Sequence, residues 1–313
     1  MSYKLLAFLF AASLFAQGRI DGPIVGWIWD AGSARPVLGI PGAAILGERL
    51  QAELASTRAA VSPNGDYILA ISAEQGLLYL VNTRSGALRE VEGVAGGADD
   101  IVLSPGGRSA LLQYRAENRI AILTGLPEQP KLAGSFDVSV EGAPDTLAIS
   151  DDASVAVAGF RDQRVLLALD VDGNRWKLPY EGAARHVSFI DGRPDALVAG
   201  ENGLWRLNDV AGNVESRLLW ETSAMCAAAT PDRRHVILID GADAVVILGL
   251  ESGVVRRLES GVKPTTLARM AENVFRISDF DSGPLWILDM AGADPRILFV
   301  PADAKAEKND SLE

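Results

Sequence analysis

The sequence predicts an all-β fold made from one repeated unit of four short antiparallel strands. Three observations predict it. A turn signature recurs about every 40 residues. The runs between turns carry the apolar and β-branched residues that suit a pleated, half-buried surface. The chain is 48% hydrophobic but only 6% aromatic, as expected of strands filled with Ala, Val, Leu and Ile. One four-stranded sheet cannot bury both its faces, whereas six or more packed around an axis can. A period near 40 with four strands per unit is the signature of a β-propeller.

Taken in order, Met1 to Gly18 (MSYKLLAFLFAASLFAQG) reads as a signal peptide. Lys4 gives the positive start, Leu5 to Phe15 an apolar core too short to span a bilayer, and Ala16-Gln17-Gly18 a small-x-small cleavage site. An uncleaved anchor is the alternative reading. No cysteine follows the apolar core, which excludes lipid attachment there. Residues 19–301 are expected to form the propeller, periplasmic or secreted, with no membrane insertion after signal cleavage. Trp27 to Ser33 followed by Pro36 to Ile40 reads as a hairpin: half of a seventh blade, or an extra hairpin against a six-bladed ring. Ala43 to Thr57 is the least strand-like stretch, with Ile45, Leu46, Leu50 and Leu54 at rough helical spacing. It is expected to be a connector, either with a helical turn or two or as an extended outer strand.

Ala59 to Gly93 shows the full unit. Ala59 to Val61 is an apolar run stopped by Ser62-Pro63-Asn64-Gly65, in which proline presets one turn dihedral and Asn-Gly supplies positive φ. Tyr67 to Ile71 and Leu77 to Val81 flank a polar break at Glu74-Gln75. Arg84-Ser85-Gly86 makes the next turn, and Leu88 to Val91 alternates apolar and charged, as a half-exposed outer strand should. The first turn recurs at Ser104-Pro105-Gly106-Gly107 and Ser150-Asp151-Asp152-Ala153. Looser copies start at Ile190, Thr230 and Met270. The second turn recurs at Asp170 to Gly173, Leu250 to Gly253 and Met290 to Gly292. The tail from Ala302 is charged, has little to bury, and is expected to be disordered.

The S-P-x-G first turn and unit endings such as LYLVNTRSGALREVE resemble bacterial propellers of the YVTN and WD-repeat-like type, over roughly Trp27 to Pro301. Units four to six depart from S-P-x-G, which blurs their blade boundaries. The resemblance implies a fold. Such propellers include surface-layer proteins, binding scaffolds and lactonases, so it leaves the activity open.

The formal net charge of −12 argues against nucleic-acid backbones and anionic membrane surfaces as partners, and it also serves solubility. The single cysteine, Cys226, excludes an intramolecular disulfide and reads as buried filler in Ala224-Met225-Cys226-Ala227-Ala228. His186 and His235 fall in different units, and no nucleophile elbow, P-loop, CxxC or HExxH is present. Asp170-Val171-Asp172-Gly173-Asn174 lacks the downstream glutamate of a calcium loop and reads as a turn.

Two sets of residues are candidates for function. The loops between the second and third strands of each unit are polar and differ from one another. They nominate Arg115, Glu117, Asn118, Arg119, Arg161, Asp162, Arg164, Asp243, Asp279 and Asp281 as ligand-binding residues on one face of the ring, with the tight turns on the other. Positions four and five before each first-turn anchor should ring the mouth of the central channel. They nominate Arg58, Asp99, Asp100, Asp145, Arg185 and His186. The leading reading is therefore an exported, non-enzymatic propeller that binds a protein or another ligand through that face and needs no cofactor. The alternative is a lactonase-like hydrolase in which Asp99, Asp100, Asp145 and His186 hold a divalent cation.

Overall fold

The computed structural model describes residues 22–30, 32–50, 54–280 and 283–302, and across them every regular element is a β-strand. The predicted signal peptide, nearly all of the charged tail and Asp281 lie outside the described residues. The strands form seven antiparallel sheets, making a seven-bladed β-propeller. The first blade has three strands, β1 (Ile24–Asp30), β2 (Ser33–Ile40) and β3 (Ala43–Leu46). The second has β4 (Ser56–Val61), β5 (Tyr67–Ser72), β6 (Leu78–Asn82) and β7 (Leu88–Glu90). The third has β8 (Asp100–Leu103), β9 (Ala110–Tyr114), β10 (Arg119–Thr124) and β11 (Lys131–Asp137). The fourth has β12 (Thr146–Ile149), β13 (Ala156–Phe160), β14 (Val165–Leu169) and β15 (Arg175–Lys177). The fifth has β16 (Ala184–Phe189), β17 (Ala196–Gly200), β18 (Gly203–Asn208) and β19 (Glu215–Trp220). The sixth has β20 (Ala224–Ala229), β21 (His235–Asp240), β22 (Val245–Gly249) and β23 (Val255–Leu258). The seventh has β24 (Ala268–Ala271), β25 (Val274–Arg276), β26 (Leu285–Asp289) and β27 (Arg296–Val300).

Each blade is one continuous segment with its strands in sequence order. The second strands β5, β9, β13 and β17 are buried throughout, while the outer strands β7 and β23 are mostly exposed. This is why inner runs are apolar and outer runs alternate. The core is a set of clusters between neighbouring blades. One joins Leu111, Ile122, Ile149 and Phe160, and the next joins Val157, Leu166, Val187 and Val198.

The N-terminal hairpin is part of a complete blade, the first, which brings the ring to seven. The stretch expected to be a connector supplies its third strand, β3, and the beginning of β4, and forms no helix among the described residues. The rough helical spacing is overridden by pairing with β2, which leaves Ala44 buried and Ile45 exposed. Val25, Ile28, Val37 and Ala44 pack onto Met270, Leu285 and Val300 of the seventh blade, while Trp27 and Ala34 pack onto Ile68 and Val81 of the second. β1 runs innermost, between β24 and β4. The ring is thus closed by side-chain packing, with no strand shared between the two ends of the chain.

The first-turn anchors have a structural cause. Ser62, Ser104, Ser150 and Thr230 are buried. The Ser104 hydroxyl accepts the N–H groups of Arg108 and Ser109 at 3.1 and 3.2 Å. Ser62 does the same for Asp66 and Tyr67, and Ser150 and Thr230 take the N–H of Val155 and His235. A buried hydroxyl thus satisfies amides that the turn leaves unpaired.

Candidate functional site: the channel and its mouth

The loops joining the second and third strands lie on the same face as the connections between blades. Asp99 Oδ2, which precedes β8, accepts the N–H of Arg115 at 2.6 Å, and Asp145 Oδ2 accepts that of Arg161 at 2.7 Å. Thr265 Oγ1 accepts the N–H of Asp279 at 3.0 Å in the same way. Asp99 and Asp145 therefore brace the loops. These loops are themselves tight turns. Asn118 N–H bonds Arg115 O, Arg164 N–H bonds Arg161 O, and Asp243 N–H bonds Asp240 O, with Asn118, Arg164 and Asp243 at φ of 48°, 54° and 62°. Between β17 and β18 the turn is Glu201-Asn202 alone, closed by the Gly200–Gly203 pair.

Several loop candidates are occupied within the fold. Arg119 pairs with Glu117 at 2.7 Å and lies 3.6 Å over the Tyr114 ring, an ion pair and a cation–π contact on one side chain. Arg164 pairs with Glu201 of the next blade, and Asp243 with Lys263 at 3.0 Å. Arg115, Arg161 and Asp162 are exposed, and their side chains make no ion pair among the described residues.

The channel encloses a cavity of about 380 Å³. Asp100, Asp145, Arg185 and His186 line it, as the register argument predicted. Arg58 and Asp99 do not. Asp99 is turned to the Arg115 amide, and Arg58 follows a bulge between Ser56 and Arg58 in the β4–β5 pairing. β16 carries a bulge at the corresponding place, between Ala184 and His186, and there both Arg185 and His186 line the cavity. Val102, Ala148, Ser188 and Ala228 form the walls, small where the blades converge.

Burial lowers the His186 pKa to about 4, so the ring is neutral at physiological pH, and its Nδ1 faces the Ala227 N–H at 3.5 Å. Burial pushes the Cys226 thiol up to about 12, the wrong direction for a nucleophile. Among the described residues no three His, Cys, Asp or Glu side chains come together as a metal site, so the cation set proposed from sequence does not assemble. A larger recess of about 800 Å³ lies between the first and second blades. Its walls include Trp27, Leu50 and Met270, which belong to ring closure.

The floor of the channel holds a charged group that sequence reasoning missed. Arg269, in the seventh blade, reaches Asp191 of the fifth blade at 3.4 Å and Asn64 of the second at 3.2 Å. Asp151 accepts the N–H of Gly106 at 2.5 Å and of Gly192 at 2.8 Å. Burial, and then the neighbouring Asp151, raise the Asp191 pKa, while Arg269 opposes the rise. This network ties the first turns of four blades to Arg269 across the axis. A signal was present. The residue before each anchor is Val61, Leu103, Ile149, Phe189 and Ala229, and only the sixth copy is charged. Asp151 and Asp191 likewise stand where Pro63, Pro105 and Pro231 stand in other copies.

No protein-family model matches the chain, and no curated protein matches it. Solved structures do match. A protein of unknown function from Desulfotomaculum acetoxidans has a TM-score of 0.58 at 14% identity, over 89% of this chain and 99% of that one. The β-propeller domain of Cps50 (Swd1) from Myceliophteria thermophila has a TM-score of 0.56 at 11% identity, covering 78% of this chain and 86% of that domain. Hydrazine synthase from Kuenenia stuttgartiensis has a TM-score of 0.53 at 16% identity, covering 75% and 76%. At these identities the likeness is one of fold.

Proposed function

We propose that this chain is an exported, non-enzymatic β-propeller that binds an acidic protein or other anionic ligand on the face of the ring that carries the channel mouth. One observation carries the reading. On that face the carboxylates Asp99 and Asp145 are engaged by backbone amides, while Arg115 and Arg161, at equivalent places on neighbouring blades, are exposed without carboxylate partners. Exposed guanidinium groups on a chain of net charge −12 favour an acidic partner at that face only. The short braced turns supply the rigidity that holds the donors in place. The raised Cys226 thiol and the neutral His186 offer no nucleophile–base pair, which supports binding over catalysis. Export rests on the N-terminal apolar segment.

The test is affinity capture from an extracytoplasmic extract with the wild-type protein and with the Arg115→Ala/Arg161→Ala variant. Wild type should retain acidic partners at low salt and release them at high salt. The variant should retain several-fold less, with its melting temperature unchanged. Equal capture by the two proteins, or none by wild type, would overturn the reading.

A further inference from the structure

The channel cavity carries charges of both signs that form no ion pair among the described residues. Arg185 donates to Ser223 Oγ at 2.7 Å and contacts Met225 Sδ at 3.1 Å. Among the described residues, Asp100 accepts the N–H of Ile101 at 3.0 Å and Asp145 that of Arg161. All three line the same cavity, yet none pairs with another. Below them the wall is mainly apolar, with Val102, Leu147, Ala148, Val187, Ala228 and Phe275, and Ser188 among them. The floor is closed by Arg269, which is already held by Asp191 and Asn64. Arg185 and Asp100 are half-buried and Asp145 is exposed at the mouth, and a ligand that supplies both missing signs gains charge-assisted hydrogen bonds there on binding.

We infer that the channel is a binding site for a small zwitterion with an apolar body, of which an apolar α-amino acid is the simplest. Arg185 takes the carboxylate, and the neutral His186 beside it can add a hydrogen bond. Asp100 and Asp145 take the ammonium group. The aliphatic or aromatic side chain points down the apolar wall. The size agrees: about 380 Å³ is the space of roughly a dozen waters, close to the number of non-hydrogen atoms in leucine or phenylalanine. It lies in the lower part of the range for small-molecule sites. The inference is independent of the outer arginines, since Arg115 and Arg161 do not line the cavity.

Isothermal titration calorimetry with L-phenylalanine and L-leucine tests it. 3-Phenylpropionate, which lacks the ammonium group, and phenethylamine, which lacks the carboxylate, serve as comparisons. Saturable binding of at least one of the two amino acids is expected, with the acid and the amine at least tenfold weaker than phenylalanine if that is the one bound. Arg185→Met should weaken the amino acid and the acid, and Asp100→Asn the amino acid and the amine. Both side chains are partly exposed at the mouth, so folding should survive, and unchanged melting temperatures would verify it. No saturable binding of either amino acid up to 10 mM (roughly the weakest affinity worth calling a site) would overturn the inference. So would binding indifferent to both substitutions, or the acid alone binding as well as phenylalanine. Failure here with intact partner capture would leave the outer-face reading standing. Failure of capture with intact amino-acid binding would do the reverse.

Discussion

Ser104 shows what one hydroxyl does in each repeat. It is fully enclosed and accepts two backbone amides, at 3.1 and 3.2 Å. Removing it leaves the buried Ser109 amide and the part-buried Arg108 amide without that partner. Ser104→Ala should therefore lower stability by about 1–3 kcal/mol, measured by denaturant unfolding. An unchanged midpoint would mean that the turn holds itself. At Ile190 and Met270 the hydroxyl is missing, which is why those copies were hard to see in the sequence. His186 gives a pH prediction. Its folded pKa is depressed from 6.5 to about 4, so between those values the unfolded chain binds more protons than the folded one. Stability contributed by the neutral ring is fully present above pH 6.5 and is lost as pH falls towards 4. The loss should be on the order of 1–2 kcal/mol, reduced from the full value because the ring borders a solvent-open channel. His186→Asn should flatten that part of the stability–pH curve, and a curve identical to wild type would refute the assignment.

At the scale of elements, glycines record where strands meet bulky neighbours. A Cβ on Gly200, at the end of β17, would lie 2.1 Å from Tyr180 Oη and 2.6 Å from Ala183 O. Gly200→Ala should cost 3 kcal/mol or more, read as a lowered melting temperature or loss of soluble protein. The Tyr180 hydroxyl has no hydrogen-bond partner among the described residues. Tyr180→Phe should accordingly be nearly neutral and should partly rescue Gly200→Ala, whereas full additivity of the two changes would contradict this geometry. Bulges act at the same scale. Strand periodicity places alternate residues on one face, and an inserted residue breaks that rule. β4 and β16 carry a bulge at the same place, yet Arg185 and His186 line the cavity and Arg58 does not.

For the whole molecule, two features decide stability: how the ring closes and what crosses its axis. The first blade has three strands and shares none with the last, so closure depends on packing around Ile28, Val37 and Trp27. Its amides should exchange with solvent faster than those of β13 and β17 in native-state hydrogen exchange. Uniform protection across all seven blades would argue against weak closure. Across the axis, Arg269 compensates the crowded pair Asp151 and Asp191. Arg269→Ala should destabilise by about 2–3 kcal/mol, because it leaves two neighbouring carboxyls uncompensated. Asp191→Asn should be neutral or mildly stabilising at pH 7, because it removes their repulsion while keeping a partner for Arg269. Thermal unfolding of the two variants distinguishes this tie from a passive plug.

The sequence by itself determined the strand repeat, its period, the two turn types and the position of the channel-facing register. Those are local properties: turn chemistry and alternation act over a few residues and repeat in every copy. Asp100, Asp145, Arg185 and His186 were legible at the mouth for that reason. What only the tertiary structure decided depends on neighbours distant in the chain. Ala43–Leu46 became a strand because it pairs with β2 and its Ala44 packs onto the seventh blade. Asp99 and Arg58 fall outside the cavity although the register placed them with Asp100 and His186. Arg269 became the channel floor because partners 78 and 205 residues away meet it at the axis. A repeat fixes the shape of each blade through local forces, and only the closed ring brings together the residues in which the copies differ.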